Sequence, residues 1–191
     1  MKKLFLLLLL TQLTYSQSKM QLPYYEIPEY PATSSSGNIM SRMIDGLGFR
    51  FYWATEGLTK KDLDFKISKD SRSTMEILGH INDLSVMILN SVVNKPNEGV
   101  KDSPLEFTKL RNNSLLNLKQ ASEIISKLDA VSNLKIIFKK GDKLSEFPFW
   151  NLINGPIEDA VWHSGQIVAN RRASGNPINS KVSVFTGKVN D

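Results

Sequence analysis

Apolar residues recur every three or four positions along four stretches of this chain, and polar, proline-rich or glycine-rich segments separate them. That period puts the apolar residues of each stretch on one face of an α-helix. The first stretch predicts a helix from about Asn38 to Gly57, with Ile39, Met43, Leu47, Phe51 and Ala54 on its buried side. Leu58 to Arg72 is polar and reads as a loop with one turn at Lys60–Asp64. The second helix has a clear start. Ser73 and Glu76, three residues apart, form a capping box in which each side chain meets a free amide of the helix N-terminus. Behind it Ile77, Leu84, Met87, Ile88 and Ser91 share a face, and His80 falls in the middle of that face.

Asn94 to Gly99 ends the second helix. The third opens with Ser103 as cap, Pro104 at its first position and Glu106 at the third. It runs through Phe107, Leu110, Leu115, Leu118, Ile124 and Ile125 to about Leu128. From Val131 to Phe149 the period fails. Leu134–Phe138 and Leu144–Phe147 flank Lys139-Lys140-Gly141-Asp142, and either a short hairpin or an irregular crossover fits. The fourth helix starts between Trp150 and Pro156 and stops at Gly175-Asn176-Pro177. A tail follows, with strand-like alternation over Val182–Phe185. Four helices with one long connection predict an all-α fold, a four-helix bundle with a crossover connection and short extended segments.

The two ends of the chain change the domain picture. Met1-Lys2-Lys3 and the apolar run Leu4–Leu10, closed by Thr14-Tyr15-Ser16, read as a signal peptide over residues 1–16 with Gln17 as the new N-terminus. The run is far short of the roughly 20 residues a membrane span needs, so a stable membrane anchor is not expected. Residues 17–37 form an extended lead-in carrying Pro23, Pro28, Pro31, Tyr24, Tyr25 and Tyr30, placed to drape its aromatics over the domain. Residues 38–177 are the helical domain and 178–191 the tail. An exported protein, periplasmic or secreted, is the expectation. The net charge is +5, and losing Lys2 and Lys3 leaves +3. The lysines are scattered and no basic stripe is interleaved with aromatics, so nucleic acid is not an expected partner. There is no cysteine, which removes disulfides, thiolate ligands and a cysteine nucleophile.

The chemistry-bearing residues are few. His80 and His163 are the only histidines. Each has a carboxylate one helical turn before it, Glu76 and Asp159, and Asp83 lies one turn after His80. Facing helices would offer two imidazoles and at least one carboxylate to one divalent metal. On the fourth helix Asp159, His163, Gln166 and Asn170 form one polar stripe, which faces either solvent or an internal polar site. Arg171 and Arg172 near the end of that helix complement its dipole. Trp150, Trp162, Phe147 and Phe149 read as core aromatics or as pocket walls. No Gly-x-Ser-x-Gly elbow accompanies the histidines, which argues against triad hydrolysis.

Ser71-Arg72-Ser73-Thr74-Met75-Glu76-Ile77-Leu78-Gly79-His80-Ile81, followed much later by Asp159-Ala-Val-Trp-His163-Ser-Gly-Gln166, resembles the DinB-like superfamily. Tyr52 to Leu63 is similar to the end of that family's first helix and the loop after it. The resemblance spans about Asn38 to Pro177 and implies a four-helix bundle. It also implies a divalent metal held by three histidines, one on the second helix and a pair spaced by four on the last. His80 matches the first of these and His163 the second of the pair. Asp159 stands where the family has the remaining histidine, a departure that leaves two histidines and one carboxylate. Such a set binds zinc, nickel, manganese or iron(II) with open positions for water or substrate. Glu76 and Asp83 are candidates to orient the His80 ring, against plainer roles as a helix cap and a solvated flank. Gln166 is a candidate to hydrogen-bond a ligand, substrate or backbone group.

Three functions follow as expectations. The first is a metal-dependent hydrolase or transferase acting on a small molecule. The second is a non-catalytic metal- or ligand-binding module of the envelope. The third is a structural bundle that has lost the metal, with His80 bonded to Asp159 or Glu76. The resemblance adds a homodimer formed through helix faces.

Overall fold

A computed structural model describes residues 21–99 and 106–191. The signal peptide at residues 1–16, the new N-terminus at Gln17 and the helix start at Ser103-Pro104 lie outside the described residues. The fold is mainly α with a small sheet. Four long helices carry it: α1 (Ser36–Thr55), α3 (Thr74–Val92), α4 (Phe107–Ile125) and α6 (Glu158–Ser174). One turn of helix, α2 (Lys60–Asp64), occupies the loop between α1 and α3. α1 packs on α4 and α6, and α3 packs on the same two from the opposite side. Among the described residues no helix is long and apolar enough to cross a membrane.

Local chemistry sets the helix limits. The Ser35 side chain accepts the Asn38 N–H at 3.2 Å and opens α1. Its buried face is Met40, Ile44, Leu47, Phe51 and Ala54, whereas Ile39 is 52% exposed. The expected stripe was therefore one position out of phase at its start, because Met40 and Ile44 continue the core face and Ile39 does not. α3 begins with the capping box: Ser73 N–H donates to Glu76 Oε2 at 2.6 Å, and Glu76 N–H donates to Ser73 Oγ at 3.2 Å. α4 has Glu106 as N-cap without a side-chain bond and ends at Ile125, one turn before Leu128. α6 stops at Gly175, whose φ of 96° is the left-handed C-cap that glycine adopts without a Cβ clash.

The segment before α6 resolves as a hairpin. β2 (Lys135–Lys140) and β3 (Lys143–Pro148) pair antiparallel around Gly141, and β1 (Asn97–Glu98) adds a short parallel strand beside β2. Behind the hairpin come a short helix, α5 (Trp150–Leu152), and a segment, Ile153–Ile157, that is kinked at Gly155 and leads into α6. Gly155 has non-helical angles there and Pro156 lacks an N–H, so the regular i to i−4 ladder cannot continue through them. Of the four aromatics expected near this end only Phe149 is buried. Trp150 and Trp162 are 73% and 72% exposed, and Phe147 is 43% exposed.

Lead-in and tail pack together. β4 (Val182–Ser183) pairs with β5 (Lys188–Val189), and Ile27 N–H donates to Gly187 O at 2.9 Å. Tyr24 is buried and donates its hydroxyl to Asp45 at 3.0 Å. Burial raises the Tyr24 phenol pKa, the Asp45 charge adds to that, and burial likewise raises Asp45 above the usual carboxylate range.

The junction that holds α6 against α1 is Arg171. It is 4% exposed, and its Nη1 donates to the carbonyls of Trp53, Ala54 and Glu56 at 3.0, 3.1 and 2.9 Å. Two of these belong to the last turn of α1, where carbonyls have no intrahelical partner. Its Nε donates to Asn176 O at 2.6 Å. Asn176 in turn donates to Asp62 at 2.7 Å, and Ser174 bonds the same carboxylate. Burial works to raise the Asp62 carboxyl, but bonds from Ser174, Asn176 and Thr59 outweigh it and hold it well below its usual range. The dipole role expected for Arg171 is thus the smaller part of what it does; only Arg172 is exposed.

Two outcomes are expected. Arg171→Lys keeps the charge but cannot present a planar fork to three carbonyls, and should lower stability by on the order of 3 kcal/mol in urea titration. Gly37→Ala would drive a methyl onto the backbone carbonyl oxygens of Ile125 and Leu128 and should cost about 1–3 kcal/mol, while Gly165→Ala, which meets nothing, should be neutral or stabilising by up to about 1 kcal/mol.

Candidate metal centre

α3 and α6 bring His80, Asp159 and His163 together. One donor atom from each lies within 4.8 Å of the other two. His80 Nε2 is 3.0 Å from Asp159 Oδ2, and His163 Nε2 is 3.4 Å from Asp159 Oδ1. The rings meet edge to face, 4.7 Å between centroids and 89° between planes. Asp159 and His163 come from one helix, at the spacing of four that stacks side chains on a common face. His80 reaches them from α3, whose Ile77, Leu78, Ile81 and Leu84 bury the neighbouring positions.

The donor set could hold a metal ion. Two bonds of about 2.1 Å, meeting between a right angle and a tetrahedral one, separate their donor atoms by roughly 3.0–3.4 Å. The separations of 3.0 and 3.4 Å fall in that range, each to a different oxygen of Asp159, and one donor atom from each residue lies within 4.8 Å of the others. The centre is open on one side: the His80 and Asp159 side chains are 32% and 39% exposed, and His163 is 13% exposed.

Gln166 fixes the His163 ring. His163 Nδ1–H donates to Gln166 Oε1 at 2.8 Å, since an amide oxygen can only accept. In the neutral ring this leaves Nε2 an acceptor, 3.4 Å from Asp159 Oδ1, which is also an acceptor. A cation between them, a proton or a metal ion, relieves that repulsion.

The other two expected residues stand apart from the ring of His80. Glu76 spends its carboxylate on the Ser73 amide and on Lys66 Nζ at 3.1 Å. The bond from the Ser73 amide, followed by the one from Lys66, holds its pKa at about 2. It is a helix cap and does not orient His80. Asp83 is exposed and makes no bond to His80 among the described residues. Partial desolvation holds its carboxyl above the usual range, and attraction to His80 offsets only part of that.

Residues the sequence reading missed lie mainly in the loop before α3. A pocket of about 390 Å³ opens beside His163 and Gln166 and extends to Ala169 and Asn170, with Ile67 and Arg72 on its other side. The polar stripe contained three of these residues. The loop residues that complete the wall carry no periodic signal.

No family model, no curated protein and no solved structure matches this chain.

The tautomer is directly measurable. Long-range ¹H–¹⁵N correlation of the neutral protein should show His163 protonated at Nδ1, and Gln166→Met should return the ring to a mixture.

Proposed function

We propose that this chain is an exported, DinB-like four-helix bundle in which His80, Asp159 and His163 hold one divalent transition metal for hydrolysis or group transfer on a small molecule. The observation that carries the reading is the acceptor pair of His163 Nε2 and Asp159 Oδ1, 3.4 Å apart, in a set of three donors that His80 completes within 4.8 Å. Zinc, nickel, manganese and iron(II) all accept two imidazoles and a carboxylate. A divalent ion held by His80, Asp159 and His163 would supply Lewis-acid polarisation and would make a bound water more acidic. The chain's own residues do the rest. Asp159 neutralises charge, Gln166 holds the His163 ring in its ligating tautomer, and the partly exposed His80 and Asp159 leave a side on which substrate can approach. Export rests on the N-terminal sequence pattern, and a homodimer is the partner state the family resemblance suggests.

A second reading has its own support. His80 Nε2 and Asp159 Oδ2, at 3.0 Å, are within hydrogen-bond distance of each other. In that case the cation at the centre is a proton, and the protein is a structural or ligand-binding envelope bundle without the metal.

Elemental analysis separates the two. The mature protein, residues 17–191, purified without chelator or histidine tag, should carry about one equivalent of a transition metal that is lost in His80→Ala and His163→Ala. Asp159→Ala should lose it as well. Native protein that neither carries metal nor takes it up on titration would leave the proton reading standing.

A further inference from the structure

The pocket beside the metal centre has a donor set of its own. Its floor is apolar, formed by Ile77 from α3, Ala169 from α6 and Ile67 from the loop before α3. The polar groups at its edges divide into those already used and those left over. Ser71 Oγ donates to Ser68 O at 2.8 Å, and Asn170 Nδ2 donates to Thr74 Oγ1 at 3.2 Å. Gln166 has committed its oxygen to His163, so its NH₂ is what remains. Neither that amide nitrogen nor the Arg72 guanidinium has a partner among the described residues. Glu76, which could compete for Arg72, is held by Ser73 and Lys66. Asn170 Oδ1 is an acceptor without a partner among the described residues, but Asn170 is 4% exposed; the less buried groups left over, the Gln166 amide and the Arg72 guanidinium, are donors, and one carries a full positive charge.

We infer that this pocket binds a small organic acid, with its carboxylate on Arg72 and the Gln166 amide and its hydrocarbon body on Ile67, Ile77 and Ala169. A guanidinium and an NH₂ match the two oxygens of a carboxylate. One cation among apolar walls suits a monoanion better than a phosphate dianion. The body can be up to about 10 Å long, the rise of α6 from His163 to Asn170. A volume of 390 Å³ is of ordinary size for such a ligand. The inference goes beyond the metal reading and stands without it: His163 lines the pocket, whereas His80 and Asp159 do not. Gln166 is the shared element, gripping His163 with one end and the ligand with the other.

The test is an NMR titration of the purified protein with hexanoate, hexanol and hexylamine, before and after chelator treatment. Hexanoate should give saturable shifts centred on Ile67 and Ala169, and these should persist in metal-free protein. Arg72→Gln, an exposed position where folding is not at stake, should weaken hexanoate at least tenfold. Ile67→Asp, also exposed, should weaken it comparably. Hexylamine should give no saturable shift. Three results would overturn the assignment: hexylamine or hexanol binding as well as hexanoate, hexanoate indifferent to Arg72→Gln, or no saturable shift at all. Shifts that centre on His80 and vanish with chelator would mean that hexanoate ligates the metal. The pocket assignment would then fail while the metal reading stood.

Discussion

One guanidinium ties the candidate site's helix to the rest of the molecule. Arg171 sits two turns beyond His163 on α6 and closes the end of α1 by donating to two of its carbonyls and to that of Glu56 just after it. A helix end buried without partners would leave those carbonyls stripped of water, at a cost of about 1–3 kcal/mol each. The same residue reaches Asn176, which leads on to Asp62 and α2. Thr55 and Glu56 at the same corner are gripped by Arg111 from α4, which also stacks over the Tyr52 ring. Three helices and a turn therefore meet at one polar knot. The axial position of α6, and with it the height at which His163 faces α3, is set there.

The centre itself depends on two helices that touch along their length. His80 belongs to α3, Asp159 and His163 to α6, and the helices pack against each other. The pairing is economical in chemistry: one carboxylate bridges two rings, one amide orients the more buried ring, and the less buried ring faces solvent. The more exposed donors are the ones an incoming molecule would meet first. That arrangement differs from a closed structural site, in which every donor is turned inward.

Much of this was legible in the sequence where a short-range rule applies. Ser73 and Glu76 announced a cap and made one; Lys60–Asp64 announced a single turn; Gly175 announced a stop in the left-handed region. Each depends on residues three or four apart. The readings that failed needed long-range knowledge. An arginine in the last turn of a helix reads as a complement to its dipole, and nothing nearby indicates that Arg171 reaches another helix's end. Ile39 was placed on the core face by spacing, but the corner where Gly37 abuts the end of α4 sets the rotation of α1. The parallel partner of β2 is two residues long, too short to show any alternation. The same division runs through the site. The spacing of Asp159, His163 and Gln166 on one face is local, and so is visible. The wall supplied by Ile67 and Arg72 is made by a loop folding back, and so is not.

The kink before α6 has a bearing on how such a chain can vary. A break in the hydrogen-bond ladder uncouples the facing of the helix before it from that of the helix after it. At Gly155-Pro156 that break falls between Trp150–Leu152 and Glu158, immediately before the first candidate ligand. The kink works as a joint between two stretches of helix. Upstream, the aromatic end and the hairpin can gain or lose a residue and reset their facing. Downstream, Asp159, His163, Gln166 and Arg171 keep their angular order, because Arg171 anchors that stretch independently. The exposed Trp150 and Trp162 lie on opposite sides of this break, so Trp150 can change its facing while Trp162 stays in register with the centre.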